Sequence, residues 1–365
     1  MNQKDIKYLK RTLKLAKKAK GDVSPNPLVG AVIIENDKII SDDYHHKIGE
    51  FHAERNAINK LPKDYDFSNS TIYINLEPCT HHGKTPPCCD LLIQKKFKKV
   101  VFAIKDPNPL VAGSSIKKLQ ENNIDVEFGL LEKKAKYLNR FFIKHIQTKK
   151  PYIILKVAQT INGKIASYNN ESKWISSHKS RVDVHKIRSE VDAVLVATGT
   201  IENDIPQLDV RLTSGRNPLR ILLCRNLSVD KNKLYNNSNK DNTIIVCSNN
   251  PENSHKLIEF SNDVRIIQVS EKNNYLDLNE LFSILGAEGI NSILVESGSK
   301  LSSYLLNENL IDEIIIYQSP KILGKGKSLF DDLEISNPNE LQSFYLYKSK
   351  IIDTDIKLTY LKNQL

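Results

Sequence analysis

His52-Ala53-Glu54, followed by Glu77-Pro78-Cys79-Thr80-His81-His82-Gly83-Lys84-Thr85-Pro86-Pro87-Cys88-Cys89, is the part of this sequence that decides the fold of its N-terminal half. One imidazole and two thiolates hold zinc and leave its fourth position open to water, whose pKa then falls towards neutrality. A carboxylate that does not bind the metal carries the proton in hydrolytic deamination. His52 with Cys79 and Cys88 supplies such a ligand set, and Glu54, two residues after His52 at a helix start, supplies the carboxylate. The general deaminase signature places two residues between its cysteines. Eight stand between Cys79 and Cys88 here. The competing reading is a structural zinc site closed by four ligands, with Cys89 as the fourth. Spacing alone does not choose between the adjacent Cys88 and Cys89.

Outward from this stretch the pattern is that of a layered α/β domain. LVGAVIIEN (28–36) and KIISDDYH (38–45) read as strands joined at Asn36-Asp37, and a helix is expected over 51–61. STIYINL (70–76) reads as a strand, Pro86-Pro87 suits a helix start, and KVVFAI (99–104) reads as the next strand. A helix from Ser114, the strand DVEF (125–128) and a helix over 132–148 complete the unit. Lys149-Lys150-Pro151 then breaks the pattern and marks a linker, which gives domains of 1–148 and 151–365.

A chain of 365 residues exceeds the usual size of one core, in keeping with that division. Five cysteines, an odd number with three crowded at 79, 88 and 89, argue for metal ligation over a disulfide framework. The N-terminal segment lacks the apolar core of a signal peptide, and no apolar run suits a membrane span, so a cytoplasmic protein with no membrane partner is expected. The formal charge of +10 is unevenly shared: residues 1–150 carry 28 Lys/Arg against 17 Asp/Glu, residues 151–365 carry 25 against 26. A basic half suggests nucleic acid. However, residues 4–20 hold eight of those bases around an apolar stripe of Ile6, Leu9, Leu13 and Ala16, which describes an amphipathic helix with a solvated lysine face. No nucleic-acid partner is expected; attraction of a small phosphorylated substrate is compatible with the charge.

In the second half, YIILKVA, DAVLVAT, PLRILLC, NTIIVC, VRIIQV, SILVES and DEIIIYQ read as strands, with helices over 177–190, 251–260, 277–286 and 299–309 and an exposed loop over 231–242. Thr198-Gly199-Thr200 and Ser297-Gly298-Ser299-Lys300 follow strands, as phosphate cradles do. Each also suits an ordinary strand-to-helix turn. Neither is the glycine fingerprint of a Rossmann domain.

Together PNPLVGAVII (25–34), the 52–54 and 77–89 stretches and DPNPLVAG (106–113) resemble the deaminase domain of the bifunctional bacterial riboflavin-biosynthesis deaminase/reductase. In that family the long cysteine spacing is the rule. The resemblance implies zinc on His52, Cys79 and Cys88, acid/base work by Glu54, and substrate contacts at Asn26, His45, His81 and Lys84. The second half resembles the reductase domain of the same family through LKVAQTINGKIA (155–166), ESKWISS (171–177), DVHKIRSEVDAVLVATGT (183–200), DIPQLDVR (204–211) and ILVESGSKL (293–301). This implies NADPH at Ala158, Trp174, Thr200, Asp204, Gly298, Ser299, Lys300, Leu301, Ser302, Ser303 and Tyr304. It implies ribosyl phosphate substrate at Ser172, Arg188, Leu208, Arg211 and Glu296, with Arg188 and Arg211 presenting paired N–H donors to phosphate. Trp174, the lone tryptophan, suits either a cofactor face or core packing.

The implied fold is a cytidine-deaminase-like three-layer domain followed by a dihydrofolate-reductase-like α/β domain, with zinc and NADPH as cofactors. The implied partners are small phosphorylated pyrimidines; the motifs leave open whether the chain forms a homo-oligomer. Three positions depart from the family pattern: Asn162 where Asp is usual before Gly, Ser297 where Gly is favoured, and Ser299 where a small residue or Pro is favoured. A nucleoside or tRNA deaminase with an unrelated tail is the rival enzyme, and a binding module that inherited the fold is the rival non-enzyme. The cysteine spacing and reductase-like second half oppose the first, the intact His52, Glu54, Cys79 and Cys88 the second.

Overall fold

The computed structural model describes residues 3–364 apart from 82–85, 110, 170, 205, 235–238, 332 and 334–341. It separates after Lys149 into two units, the second spanning Lys150–Gln364. Among the described residues no helix is long and apolar enough to cross a membrane.

The first unit runs α1 (Gln3–Ala16), β1 (Gly30–Glu35), β2 (Lys38–Tyr44), α2 (Ala53–Asn59), β3 (Thr71–Ile74), α3 (Cys88–Gln94), β4 (Lys99–Phe102), α4 (Ser114–Glu121), β5 (Asp125–Phe128), α5 (Glu132–Leu138) and α6 (Arg140–Thr148). Its sheet has the order β2-β1-β3-β4-β5, antiparallel around β1 and parallel from β3 to β5. Asn36 and Asp37 both take positive φ and make the tight β1–β2 turn. α1 buries Leu9, Leu13 and Ala16 of the expected stripe, while its lysines stay outside.

Side-chain alternation along β1 places helices on both faces of the sheet. Gly30 faces α1, where a Cβ would sit 2.3 Å from the Thr12 carbonyl oxygen, so only glycine allows this approach. Ile33 points the opposite way with its cross-strand partner Ser41, whose hydroxyl donates to the Ala57 carbonyl of α2. The helix expected over 132–148 is two helices. Asn139, buried at the break, accepts the Leu28 N–H at 2.8 Å and donates to the Leu28 carbonyl.

The second unit comprises β6 (Tyr152–Gln159), β7 (Lys164–Ser167), α7 (His178–Glu190), β8 (Ala193–Ala197), α8 (Thr198–Asp204), β9 (Leu219–Leu223), α9 (Lys231–Leu234), β10 (Thr243–Ser248), α10 (Ser254–Ser261), β11 (Arg265–Val269), β12 (Glu271–Lys272), β13 (Tyr275–Leu276), α11 (Leu278–Ala287), β14 (Ser292–Val295), α12 (Ser299–Asn307), β15 (Glu313–Gln318), β16 (Gly326–Ser328), β17 (Tyr345–Ile352) and β18 (Asp355–Leu361). A nine-stranded sheet has the order β11-β10-β9-β8-β14-β6-β15-β18-β17, parallel as far as β15 and antiparallel at the last two. The near-continuous apolar runs of β10 and β14 are buried throughout, and that of β8 up to its last residue, as parallel strands covered on both faces require.

Several elements differ from the sequence expectation. The supposed loop 231–242 begins with a helical turn at Lys231–Leu234. The C-terminal hairpin β17–β18 was not anticipated, because β17 is exposed along nearly its whole length and lacks the alternation that betrays a half-buried strand.

Candidate functional site

The first unit gathers its polar residues where α2 and α3 begin. His52 is the N-cap of α2, its carbonyl accepting the Asn56 N–H at 3.0 Å. Pro87 caps α3, so Cys88 is the first residue of that helix. The Cys88 N–H donates to Cys79 Sγ at 3.3 Å. His52 Nδ1 lies 3.6 Å from Cys79 Sγ and 3.4 Å from Cys88 Sγ. The three donor atoms all lie within 4.8 Å of one another, and no fourth His, Cys, Asp or Glu joins them among the described residues. Cys89 is turned away into the hydrophobic core, where burial pushes its thiol up to about 12. Geometry thus makes the choice between neighbouring cysteines that spacing left open.

Hydrogen bonds from Cys88 and His52 bring Cys79 down to about 4, while the same bond and burial hold Cys88 up. Glu54 is buried, and its Oε2 has no hydrogen-bond partner. Burial raises its pKa. Two soft sulfur donors, one imidazole and an orphaned carboxylate oxygen beside them form a donor set that fits zinc.

His45 follows β2 and is buried, with Nδ1 3.0 Å from the Phe51 carbonyl and Nε2 3.3 Å from the Asn26 amide nitrogen. A carbonyl only accepts, so the proton sits on Nδ1 and Nε2 accepts from Asn26. Burial lowers the pKa of this ring, in keeping with a neutral imidazole. His45 and His52 meet edge to face, with centroids 5.4 Å apart. Asn26 and His45 are therefore brought to the cluster. His81 is exposed, and Lys84 lies outside the described residues.

Glu77, which the sequence reading passed over, organises this site from behind. Its buried carboxylate accepts the N–H groups of Asp106, Gly113 and Ser115 and the Ser115 hydroxyl, at 2.7–3.1 Å. Asn75 does similar work for the Pro25–Gly30 segment, accepting the Gly30 N–H and donating to the Leu28 carbonyl. Polar residues flanking the metal motif at a buried strand end were the available signal.

In the second unit a cavity of about 1120 Å³ opens at the C-terminal ends of β6, β8, β9 and β14. That edge is where open parallel sheets bind ligands. Its wall includes Ala158, Trp174, Thr200, Asp204, Gly298, Ser299, Lys300, Leu301 and Tyr304 of the expected cofactor set. It also includes all five expected substrate residues, Ser172, Arg188, Leu208, Arg211 and Glu296. Ser302 and Ser303 are buried and outside the wall; Ser302 holds the first turn of α12 by donating to the Gly298 carbonyl. Trp174 is 65% exposed with the Arg181 guanidinium 4.3 Å from its ring, so it is not core. A Cβ on Gly199 or Gly298 would meet nothing within 4 Å, leaving open space above both turns. Volume and open turns fit a dinucleotide.

Arg188 is already partly engaged within the protein. Its Nε and one terminal nitrogen already grip Glu296 at 2.6 and 3.1 Å, and the other donates to the Asp209 carbonyl. Three of a guanidinium's five N–H donors are thereby taken. Lys156, a lone cation in the apolar run of β6 and absent from the expected set, lies 2.8 Å from Glu296. Burial opposes ionisation of Glu296, but Arg188 and Lys156 outweigh it and hold the carboxyl well below the usual range.

Asn162 also acquires a role: Oδ1 accepts the Thr160 hydroxyl and Leu323 N–H, and Nδ2 donates to the Leu323 carbonyl. An ionised aspartate has no N–H for that last bond. Ser299 accepts the Asp331 N–H, and Ser297 bonds with Ser302.

A family model of the RibD C-terminal domain matches residues 151–358, and one of the cytidine and deoxycytidylate deaminase zinc-binding region matches residues 2–104. The riboflavin biosynthesis protein RibD of Actinobacillus pleuropneumoniae is 36% identical over 98% of this chain and 95% of its own length. That of Aquifex aeolicus is 39% identical over 90% of each. A diaminohydroxyphosphoribosylaminopyrimidine deaminase/5-amino-6-(5-phosphoribosylamino)uracil reductase from Thermotoga maritima has a similar structure, with a TM-score of 0.85 at 35% identity over 98% of this chain and 99% of that one. The chain belongs to the RibD family of bifunctional riboflavin-biosynthesis enzymes, which pair a zinc-dependent deaminase with an NADPH-dependent reductase.

Proposed function

We propose that residues 1–148 hydrolyse the 2-amino group of 2,5-diamino-6-(ribosylamino)-4(3H)-pyrimidinone 5′-phosphate, releasing ammonia. Residues 151–365 then reduce the ribosyl unit of the resulting 5-amino-6-(5-phosphoribosylamino)uracil to ribityl. The observation that carries the reading is the unpartnered, buried Glu54 Oε2 beside the His52, Cys79 and Cys88 donors.

His52, Cys79 and Cys88 hold the zinc, which supplies a Lewis acid and lowers the pKa of water there. Glu54 takes one proton from the attacking water at Oε2 and delivers it to the ring nitrogen, then carries the remaining hydroxyl proton to the departing amine. Water adds, ammonia leaves, and the amino carbon becomes a carbonyl. Asn26, oriented by His45, presents its amide to the pyrimidine edge, and His81 and Lys84 meet the ribosyl phosphate. In the second unit NADPH supplies the hydride. The turns at Gly199 and Gly298 would hold its phosphates, and Trp174 in the same cavity wall would pack against it. Arg188, steadied by Glu296, spends its remaining N–H donors on the substrate phosphate together with Arg211. The thiol ligands suit a reducing compartment, so we place the enzyme in the cytoplasm. The reading needs neither nucleic acid nor membrane.

The test is purified protein with the diaminopyrimidinone phosphate, with and without NADPH. Ammonia should appear in both, and NADPH should be consumed only as the aminouracil forms. No ammonia refutes the first assignment; ammonia without NADPH consumption refutes the second.

A further inference from the structure

His185 stands on α7 one turn before Arg188, on the same face, and both line the cavity. The ring is almost fully buried at 4% exposure. Its Nδ1 accepts the backbone N–H of Arg211 at 3.2 Å. An acceptor Nδ1 carries no proton, so the neutral ring has its hydrogen on Nε2. Among the described residues nothing accepts from that nitrogen. Nε2–H is therefore open to the cavity, where a bound ligand can supply the acceptor in place of water. Both flanking cavity residues are arginines, so the acceptor expected there is anionic.

We propose that His185 is a further substrate-binding residue of the reductase, whose Nε2–H donates to the phosphate of the ribosyl substrate beside Arg188 and Arg211. This rests on the reading in which those two arginines meet that phosphate. Burial, with Arg188 and Arg211 beside it, pushes the imidazole down to about 4, so the ring is neutral at pH 7. The uncharged ring adds a hydrogen bond without adding repulsion between the two guanidinium groups. The same ring fixes the Arg211 backbone, tying the position of one phosphate donor to the orientation of another.

The test uses the full-length zinc-loaded enzyme with NADPH and two substrates, the aminouracil ribosyl phosphate and its dephosphorylated counterpart. His185→Leu should raise KM for the phosphate on the order of ten- to hundredfold, the worth of a hydrogen bond to a charged group. The change should appear in KM rather than kcat, and KM for NADPH should hold. With the dephosphorylated substrate the leucine variant and wild type should agree. His185→Gln should restore most of the loss, because its amide both accepts the Arg211 N–H and offers an N–H. A leucine variant with wild-type KM, an equal loss on both substrates, or a glutamine variant as poor as leucine overturns the inference. If His185→Leu fails to fold, His185→Met against His185→Gln reads the same comparison. Wild-type protein that never consumes NADPH with the aminouracil phosphate overturns the parent reading as well. A normal wild type beside an indifferent leucine variant overturns this inference alone.

Discussion

Cys88 and Cys89 are chemically identical neighbours with opposite environments: one faces His52 and Cys79, the other lies fully inside the core. Zinc content of the purified protein should therefore fall from near one per chain to near zero in Cys79→Ala, and stay near one in Cys89→Ala. The latter should cost only stability, about 1 kcal/mol for a small buried side chain. Zinc lost from Cys89→Ala and kept in Cys79→Ala would exclude the ligand set. Glu54 poses a separate question, because a carboxylate beside a metal either binds it or moves protons. Glu54→Gln keeps the shape and removes the proton carrier, so it should retain zinc and lose deamination by about 10²–10⁴-fold. Normal turnover, or loss of zinc with activity, contradicts the proton-carrier role.

At the scale of elements, the active-site motif is held by bonds reaching across the sequence. Glu77, two residues before Cys79, clamps the segment that runs from Asp106 to Ser115 into α4. Thr80 and Ser114 add a second tie at 2.8 Å. In Glu77→Gln one accepting oxygen becomes a donor facing backbone donors, which should cost about 1–3 kcal/mol. The urea midpoint of the first unit should fall at constant slope, and KM of the deaminase should rise. An unchanged midpoint and KM show that the clamp has no energetic weight. The break between α5 and α6 has the same origin, since Asn139 serves Leu28 in place of a continuous helix.

For the whole molecule, the first 150 residues carry all of the net positive charge, the remainder being balanced to within one charge, and the chain separates into units at Lys149. Each unit has its own hydrophobic cluster, drawn from residues on its own side of that point. A fragment of residues 1–148 should deaminate without NADPH, and one of 151–365 should oxidise NADPH only when given the deaminated aminouracil. The measurements are ammonia release and the loss of NADPH absorbance. Folded fragments that recover activity only on mixing would show that neither site is complete alone.

Read by itself, the sequence determined the chemistry of the first site, because His52, Glu54, Cys79 and Cys88 are ligand and proton-carrier types at tell-tale spacings. It determined most of the strands too, since buried parallel strands are written as apolar runs such as AVLVA and SILV. Tertiary structure turns Cys88 rather than Cys89 towards the donor cluster, as the family resemblance implied and spacing by itself could not decide, because a helix start points adjacent side chains in different directions. It alone showed Arg188 bound to Glu296, residues 108 apart, and His185 bound to the Arg211 backbone. It alone revealed β17, whose pairing with β18 makes a strand of an exposed, unpatterned stretch. Local spacing records which groups a segment carries. A pocket at the ends of parallel strands is assembled from residues far apart in the chain, and their meeting is set by the packing of the sheet.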